Sequence, residues 1–514
     1  MKASPFTLFT LTAASVAAYT PCALIGSYFP PPSASSIKGA GLVEKFQAAF
    51  DKLVHDGGNE VYGPIATNTT SFSVIYFSGA NNNGTRRSPS LFEYQYTSPY
   101  DVAHGLPAVT ADTKFPLAEV TMVFTVYAWL LKMGSNWDEP ITKFLTDLNV
   151  QEDNFGIRWQ DITIGDLTGH TSGLVRSSSV CAIGKACESA AFLKDITSQG
   201  PAFLPHTTPM ISYAAFQVLA MAIERYSKSG IQKYSQIMNE AIFKPLGMAS
   251  TSFIARGEQA AIAAVSTTRD LAKAGNAMLS SELVSASTTR SWMQRSVDSS
   301  NLRNGVGYPW EIYRSGDATS PILAVLTKSG AIGSYASYFG VSPDLDVGFA
   351  ILARDFTVTD GKLDLNVYAD IASDTLRPLQ KVAVGEMAAK YAGLFKSESG
   401  DALLLNVTGP GLEVMKMSED GKNRRQDVAD VSGIKETSLD FRLYPTNVRN
   451  AERHQYVAVF QDRDAPVDAG TPTCITWQDV GSLISVPNKF IFELNSMGVA
   501  SSVSVQDGKK YVRV

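Results

Sequence analysis

Glu119 is the residue whose surroundings most invite a chemical reading. It interrupts a pattern in which Leu117, Val120, Val123, Phe124, Tyr127, Leu130 and Leu131 recur at helical spacing up to Gly134. Pro116 suits a first helical turn, where its missing N–H is not needed, so one buried helix is predicted from 116 to 134. Met122 also breaks the apolar face, and a spacing of three puts it on the same side as Glu119. A carboxylate in such a place can act as a general acid or base; a thioether cannot usefully take a proton. Other chemistries lack their residues. The five histidines include no H-E-x-x-H, no cysteine pair has zinc spacing, and there is no G-x-S-x-G. Neither a metal nor a cofactor is expected. Ser-x-x-Lys occurs at Ser35–Lys38 and Ser432–Lys435, but neither begins a buried helix.

The elements that must hold Glu119 follow from pattern. Residues 42–54 read as an amphipathic helix, and 71–78 and 91–96 as strands joined by a turn at 81–84. Residues 212–227 read as a long apolar helix. Residues 322–327 read as a buried strand running into Lys328-Ser329-Gly330, with neighbouring strands at 337–341 and 347–353. From about residue 382 the character changes. Alternating segments at 403–407, 411–417, 439–443, 456–460, 490–494 and 511–514 describe a β-rich second domain.

Composition bounds the rest. With 514 residues, 45% hydrophobic and 18% charged, the chain should form two globular domains. A net charge of −5 argues against nucleic-acid binding. Residues 1–18 read as a secretory signal: Lys2, an apolar run, then Val16-Ala17-Ala18. No other apolar stretch is long enough to span a membrane. The expected division is therefore 1–18 signal, 19–380 main domain and 381–514 accessory domain. Asn68, Asn83 and Asn406 head glycosylation tripeptides. Cys22, Cys181, Cys187 and Cys474 form an even set that suits an oxidising compartment. Cys181 and Cys187 flank a short loop and form the easy pair, leaving Cys22 with Cys474, although sequence permits three pairings.

Several phrases, in order, resemble the penicillin-recognising serine hydrolases: class C β-lactamases, DD-peptidases and related esterases. FPLAEVTMVFT at 115–125 is similar to that family's helix start, F-x-x-x-S-V-T-K-x-F-T, with Glu119 where the nucleophilic Ser stands and Met122 where the Lys stands. ITIGDLTGHTSGL at 162–174 is the most specific match. Within it His170 reads as part of a structural turn, not a catalytic base. Tyr213 keeps the Tyr of Y-x-N, while Ala215 replaces its Asn. IFKPLGMASTSF at 242–253 and TTRDLAKAG at 267–275 match two further phrases. Lys328-Ser329-Gly330 corresponds to K-T-G. The resemblance covers roughly residues 40–380 and implies an α/β fold, an antiparallel sheet with helices on both faces plus a helical subdomain, ahead of the β-rich domain. The N-terminal arm is similar to that of secreted fungal β-lactamase-like proteins.

That family's reaction needs a hydroxyl nucleophile, a base and two backbone N–H groups. Glu119 and Met122 remove the first two, so acyl-serine chemistry is not expected. The resemblance implies that Glu119, Tyr213 and Lys328 converge on one pocket, with Met122, Ala215, Ser329, Gly330 and Ala331 as further lining. Three readings stay open. Glu119 serves acid/base chemistry on a small apolar carbonyl metabolite, with Tyr213 and Lys328 donating to developing charge. Or the protein is a pseudoenzyme binding a ligand or partner, Glu119 and Lys328 being an ion pair that fills the old site. Or it is an esterase with an unrecognised nucleophile. An apolar pocket would raise the pKa of Glu119, and a nearby Lys328 would lower it.

Overall fold

The computed structural model describes residues 28–79, 90–150, 158–181, 188–227, 232–253, 259–301, 303–315, 322–359, 361–465, 480, 488–506 and 508–514. The signal segment, the turn at 81–84 with Asn83, and Cys22, Cys187 and Cys474 lie outside the described residues. Those that are described form two compact units, one from 31–315 and 322–383, the other from 28–30 and 384–514.

In the first unit, α1 (Leu42–Asp56) buries Leu42, Phe46, Phe50 and Leu53, the stripe expected of an amphipathic helix. Strands β1 (Ser71–Ser78) and β2 (Ser90–Tyr96) follow, then α2 (Thr121–Met133), α3 (Tyr213–Tyr226) and α4 (Thr268–Leu279). The sheet is completed by β3 (Arg295–Asp298), β4 (Asn304–Gly307), β5 (Glu311–Ser315), β6 (Leu323–Ile332), β7 (Tyr335–Ser342) and β8 (Val347–Arg354). Its order is β2-β1-β8-β7-β6-β5-β4-β3, and every pairing is antiparallel. β1 and β8 are buried along their whole length. β8 reads as a nearly continuous apolar run and β1 buries Ser71, Ser73 and Ser78 beside its apolar residues, as in a sheet covered on both faces. Helices α2 and α3 are almost wholly buried and join one core with Trp129, Trp159, Trp292 and Trp310.

The start of α2 departs from expectation. Pro116 is not in a helix: Phe115 and Pro116 pair with Ser266 and Val265. Residues Ala118–Val120 form a separate 3₁₀ turn, and regular α-helix begins only at Thr121. Ala118 sits at φ 44°, a left-handed conformation that L-residues rarely adopt, and this ends any helix that Pro116 could have started. Two hydrogen bonds to Ala264 hold the segment: the Leu117 N–H donates to its carbonyl (2.8 Å) and its N–H donates to Thr121 Oγ1 (3.1 Å).

The second unit contains β9 (Gly393–Lys396), β10 (Ala402–Asn406), β11 (Leu412–Glu419), β12 (Leu439–Arg449), β13 (Arg453–Asp462), β14 (Lys489–Leu494), β15 (Ala500–Val505) and β16 (Lys510–Arg513). The order is β10-β9-β16-β15-β14-β13-β12-β11, and β10 also pairs with β11, which closes the sheet into a barrel. The β9 and β15 strands and a helix at Arg424–Ser432 were not read from sequence. Two residues of the helix's first turn explain its place: Asn423 caps it by accepting from the Arg425 N–H, and the Arg425 guanidinium is buried against the Val414 and Leu439 carbonyls.

Candidate functional site

Glu119 occupies the 3₁₀ turn, and β6 is pressed against that turn at Gly330. A Cβ on Gly330 would lie 2.5 Å from the Leu117 carbonyl oxygen and 2.7 Å from the Glu119 nitrogen, so no larger residue fits. The neighbouring Ser337 on β7 donates its hydroxyl to the Leu117 carbonyl. This close approach puts two backbone donors beside the Glu119 carboxylate: its own N–H and that of Ala331, whose N–H reaches Oε2 at 2.9 Å.

Tyr213 supplies a third donor. Ser212 caps α3 by accepting the Ala215 N–H (3.0 Å) and ties it to the Val175 carbonyl (2.7 Å), while the Tyr213 N–H bonds the Arg176 carbonyl (2.6 Å). The Tyr213 hydroxyl then donates to Glu119 Oε1 in a short hydrogen bond. Arg176 is drawn in by the same pinning. Its guanidinium lies 5.0 Å from the Tyr213 ring centre, donates to the hydroxyl at 3.1 Å and stands 3.8 Å from Glu119 Oε1. Lys362, from the loop after β8, reaches the same oxygen at 3.6 Å.

These contacts set the charge. Burial pushes the Glu119 carboxyl pKa up, but the Tyr213 hydroxyl, the two backbone N–H groups and Lys362 outweigh it, and the carboxyl is held below its ordinary value. Burial and then the Glu119 carboxylate push Tyr213 up to about 12, so the phenol stays protonated. The lowering expected from Lys328 instead comes from Lys362.

Lys328 is engaged elsewhere. Its ammonium is fully buried and hydrogen-bonds Glu311 of β5, whose other oxygen accepts the Ser329 N–H (2.9 Å) and hydroxyl (2.8 Å). No ion pair joins Lys328 to Glu119 among the described residues. Burial opposes ionisation of Glu311, but Lys328 and Ser329 hold its carboxyl below the ordinary value. His170 is buried in the turn that opens at Gly169, with φ 64°; burial and then Lys328 push its imidazole down to about 4. Its Nε2 faces the Pro309 carbonyl at 3.3 Å, which fits a structural turn.

A cavity of about 220 Å³ opens over Glu119, lined by Ser329, Gly330, Ala331, Ser337, Tyr338 and the loop 362–366 among others. Of the residues read from sequence as lining, Ser329, Gly330 and Ala331 are there; Met122 and Ala215 lie in the hydrophobic core. Arg176, Glu311 and Lys362 were missed. Arg176 follows the turn motif by two residues and Lys362 lies in a polar loop, and neither spacing marks a role. Asn68 and Asn406 are exposed. Cys181 is buried and disulfide-bonded. Described residues hold no group of three or more His, Cys, Asp or Glu that could bind a metal, and no helix of them is long and apolar enough to cross a membrane.

Comparison with known proteins places this geometry in a family setting. Residues 84–373 match the family model described as Beta-lactamase, and 383–507 match one described as Beta-lactamase-like-like, C-terminal domain. The chain is 23% identical to a beta-lactamase-like protein of Arthroderma benhamiae, over 88% of this chain and 86% of that protein. It is 21% identical to the "Probable hydrolase M10" of a Phoma species, over 74% and 69%. Among solved structures, a class C beta lactamase from Rhodobacter sphaeroides aligns at 16% identity with a TM-score of 0.47, over 65% of this chain and 99% of that one.

Proposed function

Since the chain belongs to the β-lactamase family, we propose that it is a member which has given up acyl transfer and binds a small molecule in the cavity over Glu119. One observation carries this reading. The Glu119 carboxylate fills a cradle of two backbone N–H groups and the Tyr213 hydroxyl. Backbone donors converging in this way are what stabilises a developing oxyanion in acyl transfer. Here a permanent anion of the chain itself takes the place, and neither a hydroxyl nucleophile nor its lysine stands at 119 and 122.

A carboxylate this well supplied with donors is a weak base, which favours binding over proton abstraction. A second reading keeps some support: Tyr213 does not itself line the cavity but is protonated and hydrogen-bonded to Glu119, which does, and the pair is arranged for acid/base chemistry in isomerisation, dehydration or cyclisation of a carbonyl metabolite. The secretory route, glycans at Asn68, Asn83 and Asn406, and the Cys181–Cys187 and Cys22–Cys474 bridges belong to the same proposal; they suit a secreted protein.

Intact-mass measurement after incubation with a fluorophosphonate tests the reading. No adduct is expected on the native protein. An adduct on any serine would establish the esterase reading instead. Turnover of a carbonyl metabolite that is lost in both Glu119→Gln and Tyr213→Phe would favour the acid/base reading over simple binding.

A further inference from the structure

We propose that the ligand of this cavity is a neutral molecule carrying at least two hydroxyl groups, which donate their hydrogens to the carboxylates of Glu119 and Asp364. The inference rests on the small-molecule reading given above and adds the chemistry of the ligand. Three observations carry it.

The first is where the wall's own hydrogens have gone. A hydroxyl has one hydrogen to give and lone pairs that accept. Ser337 gives its hydrogen to the Leu117 carbonyl, and Ser329 gives its own to Glu311 Oε2. Thr327 donates to the Glu311 carbonyl, so the hydrogen in the bond between Thr327 and Tyr338 is the phenol's. The N–H groups of Ser329 and Ala331 are taken by Glu311 and Glu119. Serine, tyrosine and backbone donors that border the cavity are therefore spent on the protein itself. Among the described side chains lining it, Lys362 and the second amide hydrogen of Asn366 are left to give.

The second is what the wall can still accept. An ionised carboxylate has about four acceptor positions. On Glu119 the Tyr213 hydroxyl, the Ala331 N–H and its own N–H occupy all but about one of these. Arg176 and Lys362, at 3.8 Å and 3.6 Å, stand beyond hydrogen-bond range and do not take it. Asp364 accepts only the Asn366 backbone N–H at 2.8 Å and the Asn366 side-chain amide at 3.3 Å among the described residues. The Ser329 and Ser337 oxygens keep lone pairs as well. Such a wall is matched by a ligand that brings hydrogens. A ligand that only accepts, such as a carboxylate or a ketone, meets lone pairs.

The third is charge. Glu119, Asp364 and Lys362 line the cavity, and Arg176, which does not line it, stands beside Glu119. Two acids and two bases balance, so neither an anion nor a cation gains from the site as a whole. The hydrogens must then come on neutral groups. A hydroxyl meets this need, whereas an amide would also bring a carbonyl in search of a donor. Ile211, Leu363 and Leu365 offer an apolar side to the carbon skeleton.

Ligand-observed NMR competition among hexane-1,2-diol, hexan-1-ol, hexan-2-one, hexanoate and hexylammonium tests the assignment. The diol should bind more tightly than hexan-1-ol, and about tenfold or more tighter than hexan-2-one and hexanoate, which have no hydrogen to give. Asp364→Asn and Glu119→Gln each replace an acceptor by an amide that can donate, so each should cut the ratio of diol to ketone affinity by about fivefold or more. That ratio is read within one protein, and Asp364 is exposed, so a loss of stability at Glu119 leaves the test intact. Preference for hexanoate or hexylammonium over the diol, a ratio unchanged in both variants, or no binding of the diol would each overturn the proposal. Hexan-2-one bound as tightly as the diol would sink the assignment and leave the small-molecule reading standing. A diol preference in a protein that also takes up fluorophosphonate would remove the non-acylating reading alone, so the two failures are distinguishable.

Discussion

The first unit holds two carboxylate–cation sites that meet at β6, one through the Ala331 N–H and the other through Lys328, and they are built in opposite senses. At the first the anion is buried and the cations are on the outside: Glu119 is 6% exposed, while Arg176 and Lys362 are about half exposed. At the second the cation is buried: Lys328 is 0% exposed and Glu311 32%. Lys328 has one acid to balance it and no way out to water. Glu119 has uncharged donors that hold it wherever its cations go. The contrast separates a structural ion pair from an internal anion held chiefly by uncharged donors.

The largest expected effect is at the structural pair. Glu311→Gln leaves the Lys328 ammonium buried without its partner and should cost about 3–5 kcal/mol in a denaturant unfolding experiment that follows the site-bearing unit. A cost under about 1 kcal/mol would erase the distinction between the two sites.

Glu119→Ala should cost less, about 1–3 kcal/mol, because the two backbone N–H groups and the Tyr213 hydroxyl lose their acceptor. Glu119→Gln restores a hydrogen-bonding oxygen and should recover most of that. If Gln is as damaging as Ala, charge rather than hydrogen bonding holds the cradle.

How much of this was legible in sequence depends on what fixes each residue. β1 was readable from its alternation, and β8 and the strand bearing Lys328-Ser329-Gly330 from their apolar runs, which burial on both faces favours. The ordered motifs pointed to the fold and to residues 119, 213 and 328. The 3₁₀ turn was not readable: the apolar spacing continues through it, and the break comes from a single left-handed alanine. The partners were not readable either. Glu311 faces Lys328 because β5 pairs antiparallel with β6, Thr327 opposite Glu311. Arg176 reaches Glu119 because Ser212 and Tyr213 bind the Val175 and Arg176 carbonyls. Both contacts join different segments of the chain, and neither leaves a local pattern. The Glu119–Lys328 ion pair of the pseudoenzyme reading is not formed among the described residues, because Glu311 holds the lysine.

Smaller still is the effect of removing an exposed cation. Lys362→Met should change stability by no more than about 1 kcal/mol, since an exposed ion pair is screened by solvent. Measured beside Glu311→Gln, it sharpens the contrast, and a loss as large as that of Glu311→Gln would contradict it.

The comparison rests on Glu119 being an ionised carboxylate at neutral pH. Its folded pKa is depressed, so the stability it contributes is present above the ordinary value of 4.5 and is lost as pH falls below that value through the folded pKa. Infrared difference spectra between native protein and Glu119→Gln, recorded across an acid titration, report this group alone. The carboxylate band should persist to below pH 4.5 and vanish only as the fold begins to give way. A protonated carboxyl band at pH 6–7 would mean that the cradle holds a neutral acid, and the account of a fixed internal anion would be wrong.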